Sequence, residues 1–370
     1  HHSTETALTL TLDNVFHAAD NGSATLLVSL DLSAAFDSIN HNILINRLSS
    51  CFGLTGLALD WISSYLHNRR QSVKFGDACS PLSEITSGVP QGSVLGPILF
   101  ALYTSPISAI ADAHNVLQQQ YADDTQLYIS ISAKTITQNT CRLESCLSDL
   151  HAWFSHNWLA LNPSKSEALL LGTSQRLKTL STLSSVNVSG TTVPLTTQIK
   201  LLDVTLDQSL SFDSHITALS KSCFYHIRAL RHIRPILSED TANLIASSLV
   251  SSRLDYANAC LFGISGKNLS RIQRIQNALA RVVTCSRSRS SSAPLLKHLH
   301  WLPVTARIHF KIALLTFKSL HTIAPSYLSS LVRPYVPSRA LRSSSAQRLC
   351  VPHVGSVFGS QGFRSAGPAI

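Results

Sequence analysis

Apolar residues near a 3.6-residue period, Ala7, Leu8, Leu12, Val15 and Phe16, predict a helix over residues 1 to 20, ended by the turn signal Asn21-Gly22. The pattern then changes to a nearly continuous apolar run, ATLLVSLDLS from Ala24 to Ser33, which predicts a buried strand with Asp31 at its end. Helical spacing returns over Ile39 to Leu48 through Ile43, Leu44 and Leu48. Trp61 to Leu66 continues that layer until His67-Asn68-Arg69-Arg70 breaks it. Gln71 to Phe75 reads as a short strand, with Gly76-Asp77 turning into a second. Gly88 to Pro97 holds three glycines and two prolines, a side-chain-poor loop where backbone can approach a ligand closely. Behind it, Leu95, Ile98, Leu99 and Leu102 give one apolar face of a helix. Tyr121 to Ser130 predicts a hairpin, with Leu127, Tyr128 and Ile129 suited to a strand and Asp123 and Asp124 in the tight turn.

Leu143, Leu147, Leu150 and Phe154 predict a helix over Asn139 to Asn157. A strand pair, Leu159 to Asn162 and Ala168 to Leu171, flanks Lys165, and Val186 to Leu206 reads as short strands punctuated by Gly190 and Pro194. From Ser214 onward the texture is helical. Ser238 caps a helix with Glu239 and Asp240 in its first turn and an apolar face through Leu244, Ile245 and Leu249. Asn268 to Val283 places Leu269, Ile272, Ile275, Leu279 and Val282 on one side and Arg271, Arg274 and Arg281 on another, a basic stripe suited to a phosphate backbone. Ser286 to Ser292, SRSRSSS, is a low-complexity linker, and His300 to Leu320 is helical before a Ser/Pro/Arg-rich end.

Charge sharpens this division. Residues 1 to 213 hold 10 Lys and Arg against 17 Asp and Glu, a net of −7, whereas residues 214 to 370 hold 20 against 3, a net of +17. An acidic half with clustered Asp joined to a basic half suggests a metal-dependent site beside a polyanion-binding surface; the alternative is a merely solvated basic domain. The eight cysteines form no CxxC pair, so neither a disulfide framework nor a zinc finger is indicated and a reducing compartment fits best. The opening residues lack a signal-peptide pattern. The longest uncharged stretch, Ile85 to Ala111, is interrupted by Gln91, three glycines and three prolines, which argues against a membrane span. The chain contains no methionine and reads as a piece of a longer open reading frame.

Adjacent carboxylates repel, so Asp123 and Asp124 either face solvent in a turn without chemistry or bind a cation. Asp31 either points at a ligand or caps the next helix. With the Gly/Pro loop, its Gln91, and Lys165, the acids make up a set suited to two divalent ions held by hard carboxylate oxygens. Here the sequence resembles the reverse transcriptases of LINE-type (non-long-terminal-repeat) retrotransposons. LDLSAAFDSINH resembles their first acidic motif, SGVPQGSVLGPILF their template and nucleotide loop, YADDTQLY their catalytic hairpin and LNPSKSEALLLG their lysine motif, in the same order. KSCFYHIRALRHIRP, SSRLDYANACLFGI, RIQRIQNALARVV and LHWLPVTARIHFKIALLTFKSLH extend the resemblance downstream.

The resemblance implies an α+β fold: a right-hand polymerase palm, an antiparallel sheet backed by helices, followed by a helical thumb and a C-terminal helical region. Residues 1–23 would be a remnant of the fingers, most of which would lie upstream of residue 1; 24–213 the palm; 214–285 the thumb; and 286–370 a basic C-terminal region. It implies that Asp31, Asp123 and Asp124 bind two Mg2+ ions, with Mn2+ as the alternative, and that Phe36 gates against the ribose 2′-hydroxyl. It further implies that Gln91 and Gly92 contact nucleotide and template, and that Lys165 protonates pyrophosphate. The partners implied are an RNA template, a DNA primer or target and deoxynucleoside triphosphates, with no membrane, in an intracellular ribonucleoprotein of the nucleus or cytoplasm. The activity implied is RNA-directed DNA synthesis; the alternative is an inactive or co-opted fragment that binds nucleic acid without polymerising. One departure stands out. Asp203 occupies a turn where the family usually has Gly, so it would be strained if that turn needs positive φ and would repel a primer backbone.

Overall fold

The computed structural model describes residues 2–287, 289–321, 325–336 and 348–370. Ser3 opens the first helix, its hydroxyl accepting from the Thr6 amide while the Thr6 hydroxyl accepts from the Ser3 amide. This helix, α1 (Thr4–Asp20), buries Leu8, Leu12, Val15 and Phe16, and Gly22 at φ +77° makes the predicted turn. Every residue of β1 (Ala24–Leu30) except Ser29 is buried, and the strand breaks at Asp31 before β2 (Leu32–Ser33). Asn40 caps α2 (His41–Phe52) by accepting from the Ile43 amide, Gly53 ends it in the left-handed conformation, and α3 (Gly56–Leu66) follows. The strand predicted at Gln71 to Phe75 is split into nested hairpins. In them β3 (Arg70–Gln71) pairs with β6 (Ser83–Glu84), and β4 (Lys74–Phe75) with β5 (Ala78–Cys79).

Next come α4 (Gly96–Thr104), α5 (Ile107–Ala113), β7 (Leu117–Tyr121), β8 (Asp124–Ile131) and α6 (Ile136–His156). After these run β9 (Ala160–Leu161), β10 (Glu167–Leu171), α7 (Ser174–Thr179), β11 (Ser185–Val188), β12 (Thr191–Thr196), β13 (Gln198–Leu201) and β14 (Val204–Asp207). The main sheet has the order β11-β12-β10-β1-β8-β7. The pair expected of Leu159 to Asn162 and Ala168 to Leu171 does not form. β9 pairs with β2, while β10, buried at Ala168 through Leu171, takes a central place between β12 and β1, as a continuous apolar run requires.

The chain falls into two compact units. One comprises Leu26–Ala168 and Thr182–Leu195; in it α6 lays Leu143, Leu147, Leu150 and Phe154 onto β8. Burial pushes the Cys146 thiol on that helix up to about 12, which makes it an inert core group. The other comprises His1–Thr25, Leu169–Ser181 and Thr196–Ile370, and is helical over α8 (Asp213–Ile233), α9 (Glu239–Ala246), α10 (Ser252–Asp255), α11 (Gly266–Val283), α12 (Ser292–His298) and α13 (Val304–Leu320). Ser238 caps α9 as predicted, but of the predicted apolar face Leu244 and Leu249 are exposed and only Ile245 is half-buried, whereas Ala242, Ala246 and Val250 are buried. Close approach to α8 and α11 selects the alanine face, and a π-turn at Ser247–Ser251 then shifts the register. Residues 337–347 of the Ser/Pro/Arg-rich end lie outside the described residues. No helix among the described residues is long and apolar enough to cross a membrane.

Candidate active site

Asp31 sits where β1 ends and β2 begins, half-buried. Its carbonyl accepts from the Asn162 amide at 2.8 Å, its amide lies 3.5 Å from the Ser166 hydroxyl, and Leu32 pairs with Leu161. These main-chain bonds bring the turn 162–166, and with it the exposed Lys165, alongside Asp31. Backbone pairing and the Ser166 hydroxyl make this neighbourhood.

The Gly/Pro loop is fastened to the segment after Asp31. Gly88 donates to the Ile39 carbonyl at 2.7 Å, Val89 to the Phe36 carbonyl at 2.9 Å, and the buried His41 Nε2 lies 2.7 Å from the Gly88 carbonyl. A Cβ on Gly88, at φ +84°, would fall 2.8 Å from the Asp37 Cα and carbonyl oxygen, so only glycine permits this approach. Gln91 Nε2 donates to both Asp37 carboxylate oxygens, at 2.9 and 3.1 Å. The Phe36 ring stacks on Phe100 with centroids 4.6 Å apart. Gly92, at φ +78°, has nothing within 4 Å of its Cβ position, leaving its backbone open to a ligand.

The acidic hairpin forms, with Tyr121 opposite Asp124 and a two-residue turn of Ala122 and Asp123, so that Asp124, expected in the turn beside Asp123, instead opens β8. Ala122 takes φ +54°, a conformation costing an L-residue roughly 1–2 kcal/mol. The Gln120 amide holds it there, donating to the Ala122 carbonyl at 3.2 Å and to Thr104 Oγ1 at 2.9 Å. Asp123 and Asp124 are exposed.

A cavity of about 400 Å³ gathers Phe36, Gln91, Gly92 and Asp123 onto common walls with Leu32 and Pro97. Asp31, Asp124 and Lys165 are not among its lining residues. Among the described residues, no group of three or more His, Cys, Asp or Glu side chains is placed to hold a metal ion. Asp31 leaves β1 and Asp124 opens β8, which are neighbours in the sheet, so the donor chemistry suits a hard cation although a three-carboxylate cluster is not assembled. A second cavity of about 580 Å³ shares Pro90 and Gln91 and adds Asp37, Arg69, Gln71 and Glu84.

Asp37 and Arg69 were not singled out by motif chemistry. Asp37 did have a signal in the acidic motif itself, one residue beyond Phe36. The predicted arginine stripe is divided. Arg271 turns onto α8, bonding Thr217 at 2.8 Å and lying 3.9 Å from Asp213; Arg274 is exposed; Arg281 lines a separate cavity.

Residues 2–206 match the family described as reverse transcriptase (RNA-dependent DNA polymerase). The chain is 29% identical, over 76% of its length, to a probable RNA-directed DNA polymerase from transposon BS of Drosophila melanogaster, of which it covers 31%. It is 28% identical, over 69% of its length, to the RNA-directed DNA polymerase from mobile element jockey of Drosophila funebris, of which it covers 28%. The chain thus spans less than a third of these curated relatives. A solved structure of telomerase from Candida albicans with the TWJ fragment of telomeric RNA aligns over 82% of this chain and 55% of that one, at 12% identity and a TM-score of 0.38, a likeness below that of a shared fold.

Proposed function

The chain belongs to the reverse transcriptase (RNA-dependent DNA polymerase) family, and we propose that it is the polymerase core of a LINE-type retrotransposon, extending a DNA primer on an RNA template from deoxynucleoside triphosphates. The observation that carries this reading is the cavity with Asp123, Phe36, Gln91 and Gly92 on its walls. Phe36, backed by Phe100, stands as a wall against a ribose 2′-hydroxyl, and Gln91 and the open Gly92 backbone hold the base-paired nucleotide. Asp31, Asp123 and Asp124 would hold two Mg2+ ions, with Mn2+ as the alternative. Such ions, when bound, increase the nucleophilicity of a primer hydroxyl and offset charge on leaving pyrophosphate. Lys165, on the turn fastened to Asp31, is the proton donor to pyrophosphate.

In this reading residues 24–213 serve as palm, 214–285 as thumb and 286–370 as a basic C-terminal region, with residues 1–23 the end of the fingers. The site of action is an intracellular ribonucleoprotein in the nucleus or cytoplasm. Primer extension on an RNA template tests the proposal: Asp123→Asn is expected to lower deoxynucleotide incorporation by roughly a hundredfold or more. Unchanged incorporation sinks the carboxylate assignment. A second reading, a chain that binds nucleic acid without polymerising, is favoured by the net +17 of residues 214 to 370. It predicts salt-sensitive binding to RNA with no incorporation by the unsubstituted chain.

A further inference from the structure

The helical unit contains a cavity of about 420 Å³ unrelated to the acidic motifs. Arg231, at the end of α8, and Arg234 and Pro235, in the 3-10 turn that follows, form one wall; Ala278, Arg281 and Val282 of α11 form the other. Three arginines line the space, and among the described residues no Asp or Glu lines it. Cations are favoured one at a time at helix C-termini, which accounts for Arg231 or Arg281 singly. It does not account for three in one cavity, where like charges repel.

Two of the three are oriented by neutral partners. Arg234 donates from Nε to the Val283 carbonyl at 2.8 Å and from Nη1 to the Leu237 carbonyl at 2.7 Å, and Arg281 donates from Nε to the Ser290 carbonyl at 3.1 Å. Carbonyl bonds fix the plane of a guanidinium without cancelling its charge, and a guanidinium has more donors than these bonds use. The result is a preset fork for an oxyanion. The opposite chemistry is present as well: Pro235, Ala278 and Val282 supply an apolar surface of the kind on which a base or sugar can lie. The volume exceeds that of a bare phosphate.

We propose that this cavity binds a phosphate ester of nucleotide size, its phosphate on Arg231, Arg234 and Arg281 and its nucleoside against Pro235, Ala278 and Val282. The sequence-based expectation was a track along one helix face. The site is instead a pocket built from two helices, able to take one nucleotide of a single strand or a free mononucleotide. Binding is read without nucleotide addition, so its outcome is separate from that of the polymerase reading.

The test uses the full chain with two probes, a fluorescently labelled single-stranded RNA and AMP, followed by anisotropy and calorimetry at fixed salt. Arg231→Ala, an exposed position, and Arg281→Ala are each expected to weaken both probes about tenfold, the size of one charge-assisted hydrogen bond. Lys267→Ala, which removes the same charge from the exposed first turn of α11, is expected to change binding by less than about twofold. Arg281→Lys recovers part of the loss by keeping the charge. AMP binding as tightly as the strand identifies a mononucleotide site, and RNA binding far more tightly identifies a strand site; both uphold the pocket. Circular dichroism confirms that the variants are folded. Folded Arg231→Ala and Arg281→Ala proteins that bind no worse than Lys267→Ala overturn the proposal.

Discussion

Gln91 is a long polar side chain on a loop, and such a group loses rotamer entropy whenever it must be held for a ligand. Asp37 removes part of that cost by accepting both Gln91 Nε2 bonds before any ligand arrives. Asp37 in turn is placed by close backbone approach at Gly88 and by the Ser87 hydroxyl on its carbonyl at 3.1 Å. In the polymerase reading proposed above, Asp37→Ala is therefore expected to raise KM for deoxynucleotides several-fold with little change in kcat, and Asp37→Asn to restore part of it by keeping an acceptor; steady-state primer extension separates the two constants. An equal fall in kcat would assign Asp37 to the chemical step. Of this arrangement, Asp31, Gln91 and Asp123 were legible as residue types in a motif order. The Asp37 contact was not, because Asp37 and Gln91 stand far apart along the chain and only the loop's return to the segment after Asp31 joins them.

At the scale of elements, the β13–β14 hairpin shows how a local departure is accommodated. Leu201 pairs with Val204, so the turn is Leu202 and Asp203, and both have positive φ, 44° and 64°. The strain foreseen at Asp203 is thus present, since this turn type favours glycine at its second position. Lys200 Nζ lies 2.6 Å from the Asp203 carboxylate, whose hydrogen bond and charge raise the Lys200 pKa. This exposed pair adds little, so Asp203→Gly is expected to stabilise the fold by up to about 1 kcal/mol, read by denaturant midpoint. Just beyond, Asp207 latches the start of α8. Burial pushes its carboxyl up, but bonds from the Ser211 amide and hydroxyl, the Ser209 amide and hydroxyl and the Phe212 amide outweigh burial and hold it below the usual carboxylate range. A lowered native pKa contributes stability that is present above the unfolded-state value and lost as pH falls through the native one. Asp207→Ala should therefore cost about 2 kcal/mol near neutral pH, with the gap to the unsubstituted chain closing in acid. A gap independent of pH would locate the loss in packing.

At the scale of the whole molecule, the first helix and the last are joined in one unit. Asp13 of α1 is 1% exposed and meets Arg364 of the C-terminal helix Phe363–Ala369 through the Arg364 amide and Nε at 2.8 Å each and Nη2 at 2.6 Å. Glu5 also accepts from the Ala259 amide at 3.1 Å and pairs with Lys311 at 3.1 Å. Removing one partner of a buried pair leaves the other uncompensated, so Arg364→Ala is expected to cost about 3–5 kcal/mol and Arg364→Lys less, measured by thermal unfolding. If both variants melt with the unsubstituted chain, the pair does not hold the helices together. The element types of this protein are in its sequence, because periodicity, caps and turn residues act over a few positions: α1, β1, the Gly/Pro loop and the Asp123 hairpin form where the pattern puts them. The order of four motifs likewise carries the family. Tertiary structure alone decided that β10 leaves β9 for the centre of the sheet, that alanines and not leucines face inward on α9, and that arginines from two helices share one cavity. Those outcomes depend on which distant surfaces compete for the same burial, and that competition is settled by packing across the fold, beyond the reach of any local pattern.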